Sequence, residues 1–381
     1  MKQMRTEYPR PQFEREEWQL LNGTWDFCFD RENIGLGQHW EQNFPSDEQA
    51  VKIEVPFVYQ TALSGINRKE PIDIVWYKRS FTKEREMPIT KIHFGAVDYE
   101  TIVYLNGKQI GYHIGGHTPF SIDISNYCTT GENILVLRVF DPLEDEEILR
   151  GKQFWEKEPR GIWYTQTTGI WQSVWLEYLA TNYLEDVKIT PDVDLQKVDI
   201  DLYFSKKCIG CNYGITIEFE GATIIEAAGK IIHERMSTSF DVLQGKVFRG
   251  TQHGESYLWS PENPKLFDIT FHVFDANEQY DRVASYFGMR KIHTKDGVVY
   301  LNNRPYYQRL VLDQGIGKRA YLLHQRMRHS YLILKLRKSL GLMVAANIKN
   351  SKTHVSSTGL ISLVILFGER WQVLQHIAQN M

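Results

Sequence analysis

Residues 150–169, RGKQFWEKEPRGIWYTQTTG, concentrate the side chains of this chain that could do chemistry. Trp155, Trp163 and Tyr164 offer flat apolar rings, and Arg160 and Gln166 offer planar polar groups. Rings of this kind stack on the apolar faces of sugars, while guanidinium and amide groups pair with hydroxyls. Carbohydrate contact by these five is one reading. The other is a loop whose rings pack against a neighbouring domain.

Elsewhere the chemistry thins out. Cys208 and Cys211 form a C-x-x-C, but a structural zinc site needs a second ligand pair at suitable spacing. With Cys28 and Cys128 they read as reduced thiols, and no metal is expected. His233, His253 and His272 are far apart and read as structural or surface residues. No Ser/His/Asp constellation or phosphate loop is present, so no catalytic residue and no cofactor are expected.

The elements that must position these residues read as strands. The 381 residues are 42% hydrophobic, with ten Trp, twenty Tyr and nineteen Phe, enough for two or three domains with large cores. Most of those rings are core residues. Residues 24–29, 75–81, 91–94, 101–105, 133–140 and 172–178 are short alternating or aromatic runs between turn signals. Asn106-Gly107 is a two-residue hairpin signal with apolar runs on either side. Long helical periodicity is missing, which predicts a sandwich of jelly-roll type. Trp76, Trp171 and Trp175 alternate with polar residues, as half-buried strand positions do, and core packing is the reading for each. A second group of runs, at 184–190, 197–204, 213–219, 246–249 and 267–274, suits an immunoglobulin-like sandwich. The N-terminus has no apolar signal core, and the longest apolar run, residues 360–367, is too short to span a bilayer. A cytoplasmic location with no membrane contact is expected.

Several motifs together resemble glycoside hydrolase family two. They are YPRPQFERE followed by W-x-L-L-N-G-T-W-D-F at residues 8–27, VPF at 55–57, LSGI at 63–66 and VWYKRSF at 75–81. HFGAVDYETIVYLNGKQIGYHIGGHTPFSIDIS at 93–125, TTGIWQSVWLE at 167–177 and LWSPENPKLFDI at 258–269 complete them. The resemblance runs from about residue 8 to 315. It implies a β-galactosidase- or β-glucuronidase-like enzyme acting on a β-linked glycoside or oligosaccharide, with the 150–169 loop directed toward the active-site mouth. YFGMRKI at 286–292 and residues 296–315 resemble the family's passage into a (β/α)8 barrel, with residues 306–312 as its first strand. Asp313 would then lie on the barrel rim, where such sites are built. The family's retaining chemistry needs two glutamates about 5–5.5 Å apart, the acid/base following an asparagine, and both lie far along the barrel. Asn277-Glu278 is such a dipeptide, but FDANEQYD reads as a hairpin between strands, so it is rejected. The alternative is a stand-alone carbohydrate-binding β-sandwich protein.

The chain changes character after Gly315. Of its 44 basic and 47 acidic residues, ten basic and one acidic follow this position. The net charge is therefore −12 before the break and +9 after it. The tail is also rich in Leu, Ile and Val, which a solvated nucleic-acid-binding arm is not. A codon argument accounts for it. IGKRAY, residues 316–321, encoded as ATT GGA AAG AGG GCT TAT, reads WKEGL from the third base. Allowed codons continue the hidden frame as an amphipathic helix followed by apolar runs, as though one base were lost after the Gly315 codon. The expected organisation is a mainly β chain. A jelly-roll sugar-binding domain occupies 1–180, an immunoglobulin-like sandwich 181–289, the first strand of an aborted barrel 290–315, and an out-of-frame tail, disordered or weakly helical, 316–381. A lone barrel strand has no neighbour to pair with. The oligomeric state does not follow from the sequence.

Overall fold

The computed structural model describes residues 5–156, 158–243, 257–308, 310–313 and 344–347. Twelve strands build the first unit: β1 (Trp18–Leu20), β2 (Gly23–Phe29), β3 (Val51–Val55), β4 (Ile74–Thr82), β5 (Ile89–Phe94), β6 (Val97–Asp98), β7 (Glu100–Leu105), β8 (Lys108–Ile114), β9 (Phe120–Asp123), β10 (Glu132–Phe140), β11 (Gly169–Ile170) and β12 (Val174–Leu179). A four-stranded sheet, β1-β12-β5-β9, and a six-stranded sheet, β3-β2-β4-β10-β7-β8, bury one core, while β6 and β11 form a short pair. Successive residues of a strand face opposite ways. In β4, Val75 and Tyr77 enter the main core, while Trp76 enters a second cluster on the other face with Trp40, Tyr104 and Val136. Trp40 packs 5.7 Å from Trp76 and covers it. As core packing predicts, Trp76, Trp171 and Trp175 are all buried. The β7–β8 hairpin turns at Asn106 and Gly107, both with positive φ (52° and 76°). A turn of this twist demands that conformation, which Asn and Gly tolerate.

Seven strands build the second unit: β13 (Leu184–Asp192), β14 (Lys197–Phe204), β15 (Asn212–Phe219), β16 (Ala222–Lys230), β17 (Arg235–Asp241), β18 (Phe267–Phe274) and β19 (Gln279–Phe287). They form a sheet β13-β14-β17 and a sheet β16-β15-β18-β19. Strict alternation in β14, KVDIDLYF, sends Val198, Ile200, Leu202 and Phe204 into the core. The run expected at 246–249 lies outside the described residues. Asn277 and Glu278 sit in the β18–β19 turn, where both backbone amides donate to the Asp275 carboxylate (2.7 and 3.1 Å). The four cysteines are free thiols.

The segment before β1 joins the two units. Phe13 is buried in the second core. The Glu14 and Ala284 backbones exchange hydrogen bonds of 2.8 and 2.9 Å, and Ser285 Oγ donates to the Gln12 carbonyl (2.7 Å). Arg15 reaches Glu177 on β12 and Asp281 on β19, while Tyr8 also donates to Glu177.

Beyond these units, β20 (Ile292–Lys295), β21 (Val298–Leu301) and β22 (Arg304–Pro305) form a small antiparallel sheet. The first barrel strand was expected at 306–312, but the strand seen is β23 (Leu310–Asp313), and Tyr306–Gln308 carry no strand. The Tyr306 amide is engaged by the Val299 carbonyl, which holds this residue to the preceding sheet. The expectation of a lone strand is also corrected. β23 pairs in parallel with β24 (Val344–Asn347), placing Asp313 opposite Asn347. The remainder of 316–381, expected to be disordered or weakly helical, lies outside the described residues. Among the described residues no helix is long and apolar enough to cross a membrane.

Candidate functional site

The loop leaving β10 and returning to β11 begins at Asp141 and ends at Thr168, and its two ends are bonded together. Thr168 Oγ1 donates to Asp141 Oδ2 (2.6 Å), and Gln166 Nε2 donates to the Asp141 carbonyl (2.9 Å). The Thr168 amide donates to Gln60 Oε1 (3.4 Å). Burial pushes the Asp141 carboxyl up to about 6, despite the Thr168 hydrogen bond, Arg150 and Gln166, and Asp73 pushes the same way.

Above this base, Gln153 spans two elements. Its Oε1 accepts from the Thr167 amide (2.6 Å) and its Nε2 donates to Asp98 Oδ2 (2.7 Å). Asp98, on β6, lies under the 115–118 turn. A Cβ on Gly116 would fall 1.9 Å from Asp98 Oδ1, so only glycine fits there. Trp171 Nε1 donates to the Gly116 carbonyl (2.6 Å), and the His117 ring meets Trp171 edge-on at 5.5 Å. Asp98, Gln153, His117 and Trp171 thus form a polar and aromatic floor.

The loop crest is apolar. Phe154 and Trp155 are 4.7 Å apart and Trp155 and Trp163 5.2 Å apart, while Phe154 and Trp163 stack at 6.4 Å with 12° between planes. Trp155 is 44% exposed. The Arg160 guanidinium lies 5.5 Å from the Phe154 ring and pairs with Glu156 at 3.0 Å. Tyr164 is half-buried and sets the loop by its backbone, giving its carbonyl to the Phe154 amide (2.8 Å) and its amide to the Lys152 carbonyl (2.9 Å).

Of the residues expected from sequence, the structure brings Trp155, Arg160 and Trp163 together, with Tyr164 beside them. It separates Gln166, which is buried at the loop base with its amide on Asp141. Asp313 ends β23, a strand whose side chains are not among those described. Asp98, Gln153 and His117 were missed. The available signal was Asp98 itself, a carboxylate directly after the mostly apolar run HFGAV at 93–97.

A second polar concentration lies where the two units meet. A cavity of about 270 Å³ is lined by Arg10, Arg15, Lys91, His93, Glu177 and Asp186, among others. Glu177 accepts from Tyr8 (2.6 Å), Arg15 (2.9 Å) and Trp175 Nε1 (3.1 Å), and His93 Nε2 lies 3.5 Å away. Burial alone would raise this carboxyl, but His93, Arg15 and Tyr8 together hold it well below the usual carboxylate range. Asp281 shares Arg15 with it (3.0 Å). A retaining glycosidase needs one carboxylate free to attack and one able to carry a proton. Glu177 and Asp281 are locked on a shared arginine and are neither. Among the described residues no group of three His, Cys, Asp or Glu side chains is placed to hold a metal ion.

Comparison with known proteins fits this geometry. Residues 18–177 match the family described as "Glycosyl hydrolases family 2, sugar binding domain", and residues 182–290 match "Glycosyl hydrolases family 2". A β-galactosidase of Thermoanaerobacter pseudethanolicus is 25% identical over 295 residues, which cover 75% of this chain and 35% of that protein. A putative β-glucuronidase of Formosa agariphila is 26% identical over 60% of this chain and 26% of its own length. Among solved structures, the β-glucuronidase from Ruminococcus gnavus in complex with D-glucuronic acid superposes with a TM-score of 0.66 at 19% identity, covering 88% of this chain and 56% of that one. That likeness is one of fold. The chain spans about a quarter to a half of the length of these relatives. Two successive domains of one family, matched over 18–177 and 182–290, show that the chain belongs to glycosyl hydrolases family 2.

Proposed function

We propose that this chain is the non-catalytic, carbohydrate-facing part of a retaining β-glycosidase of the β-galactosidase or β-glucuronidase type. The observation that carries this reading is the order of the matched domains. A sugar-binding sandwich and its companion occupy 18–290, and the passage toward a barrel follows without the glutamate pair that retention requires. Trp155 and Trp163, packed against the buried Phe154 and with Arg160 beside them, form the surface we assign to the glycoside, and the buried Asp98–Gln153 pair braces the loop. Asp313, at the end of β23, is assigned to the rim of the same site. We also read residues 316–381 as the product of a shifted frame and place the protein in the cytoplasm, in keeping with its four free thiols. The test is a turnover assay of the purified chain with nitrophenyl β-galactoside and β-glucuronide, joined to calorimetry with D-glucuronate and galactose. Absence of turnover is expected, and measurable hydrolysis would overturn the non-catalytic assignment. The second reading, a carbohydrate-binding protein in its own right, is favoured by the exposure of Trp155. It requires calorimetric affinity by the chain alone, and no heat up to millimolar sugar would sink it.

A further inference from the structure

We propose that Asp141 is a positioning residue whose carboxylate clasps the two ends of the aromatic loop, and whose ionisation loosens that clasp, so that pH sets how firmly Trp155 and Trp163 are presented. The sugar-facing half of this inference rests on the function proposed above; the clasp does not. The geometry is a closed circuit at the loop base. Asp141 directly follows β10, and its own amide is fixed on the Asp73 carbonyl (2.8 Å). From the far end of the loop, Thr168 reaches the carboxylate and Gln166 the Asp141 carbonyl. Asp141, Gln166 and Thr168 are all buried, so closing the loop takes this carboxylate out of water.

Its charge is only partly compensated: the Thr168 and Gln166 hydrogen bonds and Arg150 favour the ionised form, but burial outweighs them. Arg150 is the cation that acts on Asp141, but its guanidinium bonds the carbonyl oxygens of Leu143 and Asp145 rather than the carboxylate. Asp73, before β4, adds repulsion. Tyr59, after β3, faces the same space, with its hydroxyl on the Glu70 carbonyl and the Ile72 amide. Gln60 offers the carboxylate no charge. The neutral form therefore suits the closed loop, and burial holds the proton on Asp141 up to about pH 6.

The sign follows by linkage. With the loop open and the carboxyl solvated, Asp141 returns toward its ordinary value of 3.8. Closure is then fully favoured below that pH, weakens about tenfold per unit as pH rises, and levels off above about 6. The whole effect is at most about a hundredfold in the opening equilibrium.

Hydrogen exchange of the whole chain, without sugar, tests this directly. Backbone amides of residues 144–156, 158 and 160–166 are followed from pH 4.5 to 7.5, corrected for the intrinsic rate. The opening equilibrium should rise by roughly ten- to a hundredfold and then level off near pH 6. Asp141→Asn, which keeps an acceptor for Thr168, should give a loop equally protected at every pH. Thr168→Val, which removes the donor but keeps the shape, should raise exchange throughout and move the plateau to higher pH. A flat wild-type profile, or Asp141→Asn following the wild type, overturns the clasp. D-glucuronate and galactose affinities at pH 5 and 7.5 complete the test. They should fall with pH in the wild type and not in Asp141→Asn. If exchange behaves as stated but neither sugar binds, the clasp stands and the carbohydrate assignment of the loop falls.

Discussion

Glu177 and Asp141 are both buried carboxylates, yet they respond to pH in opposite ways. Glu177 is held low by His93, Arg15 and Tyr8, so its contribution to stability is present above its ordinary value of 4.5 and is lost as pH falls below it. Glu177→Gln should flatten the acid limb of a stability–pH curve measured by urea unfolding; an unchanged limb would remove Glu177 from the account. Asp141 is held high, so the stability it confers is full below 3.8 and declines as pH rises to about 6. Arg15 ties Glu177 to Asp281, and removing it strands two buried carboxylates. Arg15→Ala should cost about 3–5 kcal/mol in urea titrations. On the crest, Trp155→Ala should weaken glycoside affinity about tenfold, or 1.4 kcal/mol, by calorimetry. The same change should leave stability within about 0.5 kcal/mol, because the side chain is half in water.

At the scale of elements, the segment from Tyr8 to Glu16 acts as a strap rather than a leader. Phe13 fills the second core although it precedes the first strand of the other unit. Phe13→Ala should destabilise by about 3–5 kcal/mol, read as a lowered urea midpoint with ligand-free protein. A loss below about 1 kcal/mol would mean that the strap is not anchored there. The strap also marks the limit of what the chain's order of residues reveals. β14 and β18 were legible to the residue because their apolar positions alternate without a break. β16, ATIIEAAGK, and β17, RMSTSFD, were not read from the sequence, since their faces are mostly half-exposed and their apolar spacing is weak. Trp76 was readable as a core residue, but nothing near it in sequence announces that Trp40 is what folds over its outer side. Within the site, the aromatic crest was legible because its rings cluster in one stretch. Gln166 was misplaced because a polar residue in a loop reads the same whether it faces water or bonds the loop base. Asp98 and Gln153 meet across 55 positions, a pairing that only the folded backbone supplies.

For the whole molecule, the strap and the Arg15 cluster predict that the two sandwiches melt as one. A single cooperative transition should appear by circular dichroism and fluorescence alike, and it should split in Arg15→Ala. Two transitions in the wild type would show that the junction does not couple them. Deleting residues 309–381 should leave the urea midpoint unchanged and reduce light scattering on heating, because among the described residues β23 and β24 form a two-stranded parallel pair. A lowered midpoint would make that pair part of the cooperative core. Resequencing codons 313–318 tests the shifted frame: an extra base restores the hidden WKEGL reading, and its absence leaves the chain as it stands. The strap has a further consequence for how the protein is made. Gln12 leaves the ribosome 273 positions ahead of its partner Ser285. At about 5–20 residues per second, that is an interval on the order of tens of seconds. During it Phe13 and Arg15 have no place to go, so the nascent chain must carry an exposed ring and an unpaired charge until the partners on the second unit arrive.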